Sequence, residues 1–293
     1  MTKTEYHICI EKDEITAVDW LANAMLKEKQ SKNALKEIMQ KGCVWIETRD
    51  AQNQRYTQRL RRAKKRLKQG DVLHCYYDKK VLNTPPPTAT LVSDEGGYSI
   101  WNKPAEMLSQ GSKWGDHCTI YRWAEKHLQP ERPAFIVHRL DRAASGLIII
   151  AHKKQVAAQF SSMFQKRLIK KCYHVSVLGD FSKLLKKGNK STVTINNQLD
   201  EKDAISHFSL LSYNIGTNIS HLEVSIETGR KHQIRKHLSQ LSYPVIGDRL
   251  YGESRKNSKT PHTQLQLSAT SLSFECPITL QKKDYKIDIN QCE

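Results

Sequence analysis

Glycine is scarce, 13 residues in 293. No Gly-x-Gly-x-x-Gly or Walker-type loop can be drawn from them, which removes the usual cradles for dinucleotides and nucleoside triphosphates. Long apolar runs are missing too. The longest unbroken aliphatic stretch, Leu147 to Ala151, falls far short of the roughly 20 residues that a membrane-crossing helix needs. The first thirty residues mix Lys, Glu and Asp with no apolar core, so no secretory leader is read there and a cytoplasmic location away from membranes is expected. Seven cysteines, at 9, 43, 75, 118, 172, 276 and 292, are odd in number and never closer than sixteen residues. Neither a disulfide framework nor a Cys-x-x-Cys motif can be built from them, and reduced thiols are expected. Twelve histidines offer no metal-binding spacing, and no metal is expected.

What the chain has in excess is positive charge. Lys and Arg number 47 against 30 Asp and Glu, a net charge of +17, with apolar residues at an ordinary globular 38%. Residues 1–84 carry +7 and the remainder +10, so the excess is spread along the whole chain. A surface of this sign attracts polyanions and speeds their encounter, and with basic runs present the expected partner is nucleic acid.

Asn83-Thr-Pro-Pro-Pro-Thr88 is the clearest seam. Consecutive prolines lack amide donors and fix an extended backbone, so residues 85–88 are expected to link a domain at 1–84 to one at 89–293. In the first, Ala17–Leu26 and Ala34–Met39 have helical apolar spacing, and Cys43–Ile46 and Asp71–Tyr77 read as strands. Between them, Arg55 to Lys68 holds eight Lys or Arg in fourteen positions; a solvated helix face and a phosphate-contact surface both fit such a run. Arg59, Arg62 and Lys65 are its candidate contacts.

In the second domain, strands are expected at Tyr98–Trp101, Phe135–Val137, Leu147–Ala151, Tyr173–Leu178, Ser206–Leu211 and Ser220–Ile226. Helices are expected at Thr119–Lys126, Lys154–Phe164 and His232–Leu241. They do not alternate as in a doubly wound fold, so the expected class is α+β with a mostly antiparallel sheet.

Three segments carry chemistry. Val137-His-Arg-Leu-Asp-Arg-Ala-Ala-Ser-Gly-Leu147 crowds charge against a strand that must be buried. Asp141 therefore stands at the edge of the core between Arg139 and Arg142, its charge favoured by those cations. A lone Asp in such a place ordinarily caps a turn. Ile226 to Leu238 passes from a strand end at Gly229 to a helix start near His232, with Arg230, Arg235 and Lys236 around the junction, an arrangement suited to anions. His232 and His237 are five apart and share no helix face. Phe164 to Gly179 runs a basic helix end into a strand, with Lys171 and Tyr173 near its start.

Together these segments resemble the RluA-type pseudouridine synthases. The blocks that carry the resemblance are His138-Arg-Leu-Asp-Arg-Ala-Ala-Ser-Gly-Leu147, Lys171-Cys-Tyr173, Thr228 to Leu238 with Pro244 to Gly252, and Asn102-Lys-Pro104, across roughly residues 90–252. The resemblance implies an isomerase that converts uridine to pseudouridine in structured RNA without a cofactor. It implies Asp141 as the group acting at the ribose or base, Tyr173 stacking on the flipped base, and Arg235 pairing with Asp141. Arg142 would fill the vacated stack, and Arg139, Lys171, Arg230 and His232 would complete the RNA contacts. The chain departs from the family at Glu106 and Ser242, where Gly is common, and at Ala144, where Thr is usual. Residues 1–84 are similar to the S-four-like RNA-binding domain through Val18-Asp-Trp-Leu21, Lys41 to Ile46 and Gln69 to Leu73. That company favours ribosomal over transfer RNA and a monomeric enzyme. A non-catalytic RNA-binding protein of the same fold, and a nuclease or methyltransferase, are the competing expectations. An intact Asp141, Tyr173 and Arg235 speak against the first, and the lack of a carboxylate cluster or glycine-rich loop against the others.

Overall fold

The computed structural model describes residues 3–188, 191–252 and 263–288. By its contacts the chain divides into two compact units, Met1–Pro86 with Gln110–Trp123, and Pro87–Ser109 with Ala124–Glu293.

The first unit is a four-stranded antiparallel sheet covered on one face by helices. In chain order it runs β1 (Thr4–Cys9), α1 (Ala17–Ala24), α2 (Lys32–Gln40), β2 (Val44–Arg49), β3 (Arg55–Arg59), β4 (Val72–Tyr77) and α3 (Lys79–Asn83), with spatial order β1-β4-β2-β3. Helix α2 begins where the Ser31 hydroxyl accepts the Ala34 amide at 3.2 Å, the ordinary cap of a helix start. Its Leu35, Ile38 and Met39, spaced to share a face, bury against Leu21, Ile46 and Leu73.

Two expectations change here. The basic run does not form a helix face: its first part is the strand β3, paired with β2 from Arg49↔Arg55 to Trp45↔Arg59. The reason is the turn at Asp50, whose carboxylate accepts the amides of Gln52 and Gln54 at 3.0 and 2.8 Å and folds the chain back as a hairpin. Residues 110–123, expected with the second domain, pack with the first unit instead. Asp116 is fully buried there and holds Arg59 Nε at 3.3 Å and Arg61 Nη2 at 2.5 Å, with the Tyr121 hydroxyl donating to it as well. Gly42 makes this possible: a Cβ there would meet the Asp116 carboxylate at 2.3 Å, and its φ of +82° suits glycine alone.

The second unit is built on one large sheet. Its strands are β5 (Thr90–Asp94), β6 (Tyr98–Lys103), β7 (Phe135–Ile136), β8 (Ser145–Ala151), β9 (Lys170–Leu178), β10 (Thr192–Leu199), β11 (Lys202–Asn214), β12 (Ile219–Ile226), β13 (Leu267–Glu275) and β14 (Lys282–Lys286). Its spatial order is β10-β11-β12-β9-β13-β8-β6-β5, with β7 on β8 and β14 on β13. Among the described residues the pairings are antiparallel except β8 with β13, so the α+β class with a mostly antiparallel sheet holds. Helices α4 (Ile120–His127), α5 (Lys154–Gln165), α6 (Ser182–Gly188) and α7 (Gln233–Gln240) complete the chain. Tyr98, Phe160 and Phe274 cluster edge-to-face at 5.0–6.0 Å in the core beneath β6, β8 and β13. No helix among the described residues is long and apolar enough to cross a membrane.

Candidate active site

The segment before β8 is pinned from two sides. The buried Ser109 hydroxyl donates to the Leu140 carbonyl at 2.7 Å and accepts the Leu140 amide at 3.0 Å. On the other side Lys103, wholly buried, donates from Nζ to the carbonyls of Ala144 at 2.6 Å, Pro104 and Met107 at 2.9 Å, and Arg142 at 3.4 Å. Burial pushes this lysine down to about 7, against the pull of Asp141 and Glu106. Four carbonyl oxygens nonetheless supply the coordination an ammonium requires. The Ala144 amide returns to the Asp141 carbonyl at 3.2 Å, closing a turn with the Asp141 side chain on its outer edge.

Gly146 then starts β8 at φ +106°, where a Cβ would lie 2.3 Å from the Ala269 carbonyl oxygen. That crowding comes from the parallel pair Gly146↔Ala269, so glycine is required by conformation and by space. His138 braces the segment from behind. Its Nε2 accepts the Ile149 amide at 2.9 Å, and desolvation pushes it down to about 3, so it stays a neutral acceptor.

Opposite stands the start of α7. Gln233 is buried and fully bonded: its carbonyl accepts Thr228 Oγ1 at 2.8 Å and the Arg230 amide at 3.0 Å, and its amide donates to Ile205 O and Ser206 Oγ at 2.9 Å. This holds the turn into the helix and directs Arg235, two residues on, toward Asp141. Arg235, only 5% exposed, binds Asp248 through Nε and Nη2, both at 2.7 Å, and reaches Asp141 Oδ2 with Nη1 at 3.3 Å. Burial works against its charge, but Asp248 first and Asp141 second raise its pKa above the ordinary arginine value. Burial also opposes ionisation of Asp248, yet Arg235 and the amides of Tyr251 and Leu250 hold its carboxyl below the usual range. His232, at φ +56°, places Nε2 3.8 Å from Asp141 Oδ1 and bonds the Tyr251 hydroxyl through Nδ1 at 2.9 Å.

Asp141, Tyr173, Arg235, Arg139, Lys171, Arg230 and His232 all line one cavity of about 90 Å³. It adjoins a groove of about 910 Å³ that shares Arg139, Lys171 and Arg230 and extends past His138 and Phe164. Tyr173 is buried, and desolvation with the nearby Asp141 charge pushes its hydroxyl well above the ordinary tyrosine value. Burial takes Lys171 down to about 8, its Nζ lying 5.5 Å from the Phe164 ring.

Arg142 is not on this wall; it pairs with Glu106 at 3.0 Å in solvent. In the first unit Arg59 is committed to Asp116, the Gly42 and Ser112 carbonyls, and the Trp45 ring. Arg62 is exposed and Lys65 partly so. Lys103, Gln233 and Asp248 stand within the blocks read from the sequence but were assigned no part there, and Ser109 was passed over. The Gly247-Asp-Arg-Leu-Tyr251 block was the available signal for Asp248.

Residues 97–240 match the family model described as RNA pseudouridylate synthase. A Haemophilus ducreyi protein named tRNA pseudouridine synthase C is 31% identical over 202 residues, covering 62% of this chain and 83% of its own. The chain belongs to the RNA pseudouridylate synthase family. It is accordingly an isomerase that converts uridine to pseudouridine in RNA. A Vibrio parahaemolyticus tRNA pseudouridine synthase C is 28% identical, with 70% of this chain and 92% of that one covered. The human RNA Pseudouridylate Synthase Domain Containing 1 structure shares the fold, with a TM-score of 0.56 and 21% identity over 70% of this chain and 86% of that one.

Proposed function

We propose that Asp141 is the acting carboxylate of the isomerisation and that it works without a cofactor. The observation that carries this is the chain of charge Asp141–Arg235–Asp248 on the wall of a small cavity that also contains Tyr173. The reaction breaks the bond from uracil N1 to ribose C1′, turns the base, joins C5 to C1′ and moves the C5 proton to solvent while N1 gains one. Atoms and electrons balance within the substrate, so no redox partner is required.

In this reading a uridine is flipped out of its RNA, at a cost of a few kcal/mol that is least in loops, and enters the cavity against Tyr173. The small volume keeps the detached base beside the ribose until it rejoins. Arg235 holds Asp141 aimed, and the Tyr173 hydroxyl, kept protonated, faces the carbon that loses its proton. Arg139, Lys171 and Arg230 meet phosphates in the adjoining groove. Arg142 is freed from Glu106 to enter the vacated stack.

Residues 1–84 serve as an RNA-binding domain of the S-four-like kind, with Arg62 and Lys65 toward phosphate and Arg59 as a structural arginine. The substrate is structured RNA, and the chain acts as a monomer. Two relatives named for transfer RNA, of whose length this chain covers 92% and 83%, support transfer RNA ahead of the ribosomal RNA expected from the N-terminal domain.

The test is release of tritium from RNA labelled at C5 of uridine, with transfer and ribosomal RNA from cells lacking the gene offered separately. Wild type releases tritium. Asp141→Asn lowers release by at least about a thousandfold and leaves RNA affinity within a few fold. Substantial release by a pure Asp141→Asn protein would overturn the assignment.

A further inference from the structure

The first unit carries, away from its helices, a surface that the cavity chemistry leaves unused. Strand register sets it. His7 lies opposite His74, and Trp45 lies opposite both His74 and Arg59, one row across β1, β4, β2 and β3. The intervening residues Ile46, Leu73 and Cys75 bury under the helices, so the pleat turns this row, with Tyr76, to the other face.

Trp114, from the 110–123 segment of the same unit, joins that face edge-on to Tyr76 at 5.8 Å between ring centres. Trp45 Nε1 donates to the Lys113 carbonyl at 3.1 Å, which fixes the segment there. Each large ring has a cation beside it: Arg59 at 4.2 Å from the Trp45 ring, Lys113 at 4.6 Å from Tyr76, and Lys3 at 5.1 Å from Trp114.

Two carboxylates share the face, Glu5 with Lys113 and Glu47 with Arg55, both at 2.8 Å, and Lys3 lies 3.7 Å from the Asp78 carboxylate. The Glu5–Lys113 pair is solvent-exposed and the Glu47–Arg55 pair partly so, so each is worth little, and a phosphate can replace either carboxylate as the partner. The net charge of residues 1–84, +7, complements a polyanion. Rings flanked by cations suit unstacked bases, because every base has a π-face while a duplex hides its own.

We propose that this sheet face is a platform for single-stranded RNA, taking bases onto Trp114 and Tyr76 while Lys3 and Lys113 meet the phosphates between them. It rests on the proposed function in one respect, RNA as the partner, and adds a second surface of the chain that holds single-stranded RNA. A platform of this kind binds by base stacking and tolerates sequence, so it increases affinity without choosing the uridine.

The experiment uses the full chain and fluorescein-labelled RNA, one sample single-stranded and the other a duplex of equal length, followed by fluorescence anisotropy. Trp114→Ala lowers affinity for the single strand about tenfold and for the duplex less than about twofold. Trp114→Phe keeps a ring, and affinity stays within about threefold of wild type. Thermal melts establish that each variant is folded; should Trp114→Ala fail to fold, Tyr76→Ala and Trp114→Phe carry the comparison, Tyr76→Ala showing the same preference for loss on the single strand.

An equal loss on both RNAs would mean charge without stacking, and no loss on either would mean the face is not used; both overturn the platform. A protein that shows the single-strand effect but releases no tritium keeps the platform and overturns the proposed reaction. Tritium release with no effect at Trp114 or Tyr76 does the reverse.

Discussion

Arg235 is a buried guanidinium facing two carboxylates, and the stronger attachment is to the one that the family resemblance did not single out. Asp248 takes two of its donors at 2.7 Å and Asp141 takes one at 3.3 Å. A cation fully neutralised by Asp141 would blunt that carboxylate; a cation anchored elsewhere can orient it and leave it reactive. Asp248→Asn keeps the shape but removes the charge. Breaking a buried ion pair from one side costs about 3 kcal/mol, and turnover falls as Arg235 moves onto Asp141. The pH dependence has a definite sign. Asp248 is held below the usual carboxyl range, so its contribution is present above the unfolded value of about 3.9 and is lost as pH falls through the lower folded value. In urea unfolding the gap between wild type and Asp248→Asn is therefore full at pH 7 and closes only as the pH falls through the lowered folded value. A gap that persists in acid would assign the loss to packing.

At the scale of elements, Gly146 joins the site to the sheet. An added Cβ meets Ala269 backbone oxygen and nitrogen at 2.3 and 2.4 Å, and backbone atoms cannot turn aside as a side-chain end can. Gly146→Ala must therefore spread β8 from β13 just after the turn that bears Asp141. The expected result is a stability loss of about 3 kcal/mol, from strain and overpacking together, with tritium release lost beyond what the melting curve explains. Normal turnover in that variant would show that the turn is held by Lys103 and Ser109 alone. The strands that were legible in the sequence were those with aliphatic runs, such as Leu147–Ala151 and Tyr173–Leu178. Strands β10 and β13, Thr-Val-Thr-Ile-Asn-Asn-Gln-Leu and Leu-Ser-Ala-Thr-Ser-Leu-Ser-Phe-Glu, went unread because polar residues dilute their pattern. Glu106 and Ser242 stand at φ +66° and +65°, at positions where glycine is common in the family. The departures noted in the sequence thus mark left-handed turns kept by non-glycine residues. The 110–123 segment was not legible, since its place depends on Asp116 meeting arginines some 55 residues away. Local pattern carries no such information.

For the molecule as a whole, a charge of +17 implies affinity dominated by phosphate contacts and hence by salt. Arg139, Lys171 and Arg230 around the groove, with Arg62 and Lys65 in the first unit, would make five contacts. At about −0.7 in log–log slope per contact on single strands, affinity should fall about a hundredfold between 50 and 200 mM salt. Lysine and arginine separate in this measurement because burial brings Lys171 down to about 8. A lysine that binds phosphate must be protonated, so affinity falls as pH rises through that value, while the arginines are unaffected. The salt slope at pH 9.5 should therefore be shallower than at pH 7 by about one contact. Lys171→Met should show the shallower slope at both pH values and no difference between them. If Lys171→Met weakens binding yet retains the wild-type pH difference, Lys171 acts by packing on Phe164, and the titrating contact belongs to another residue.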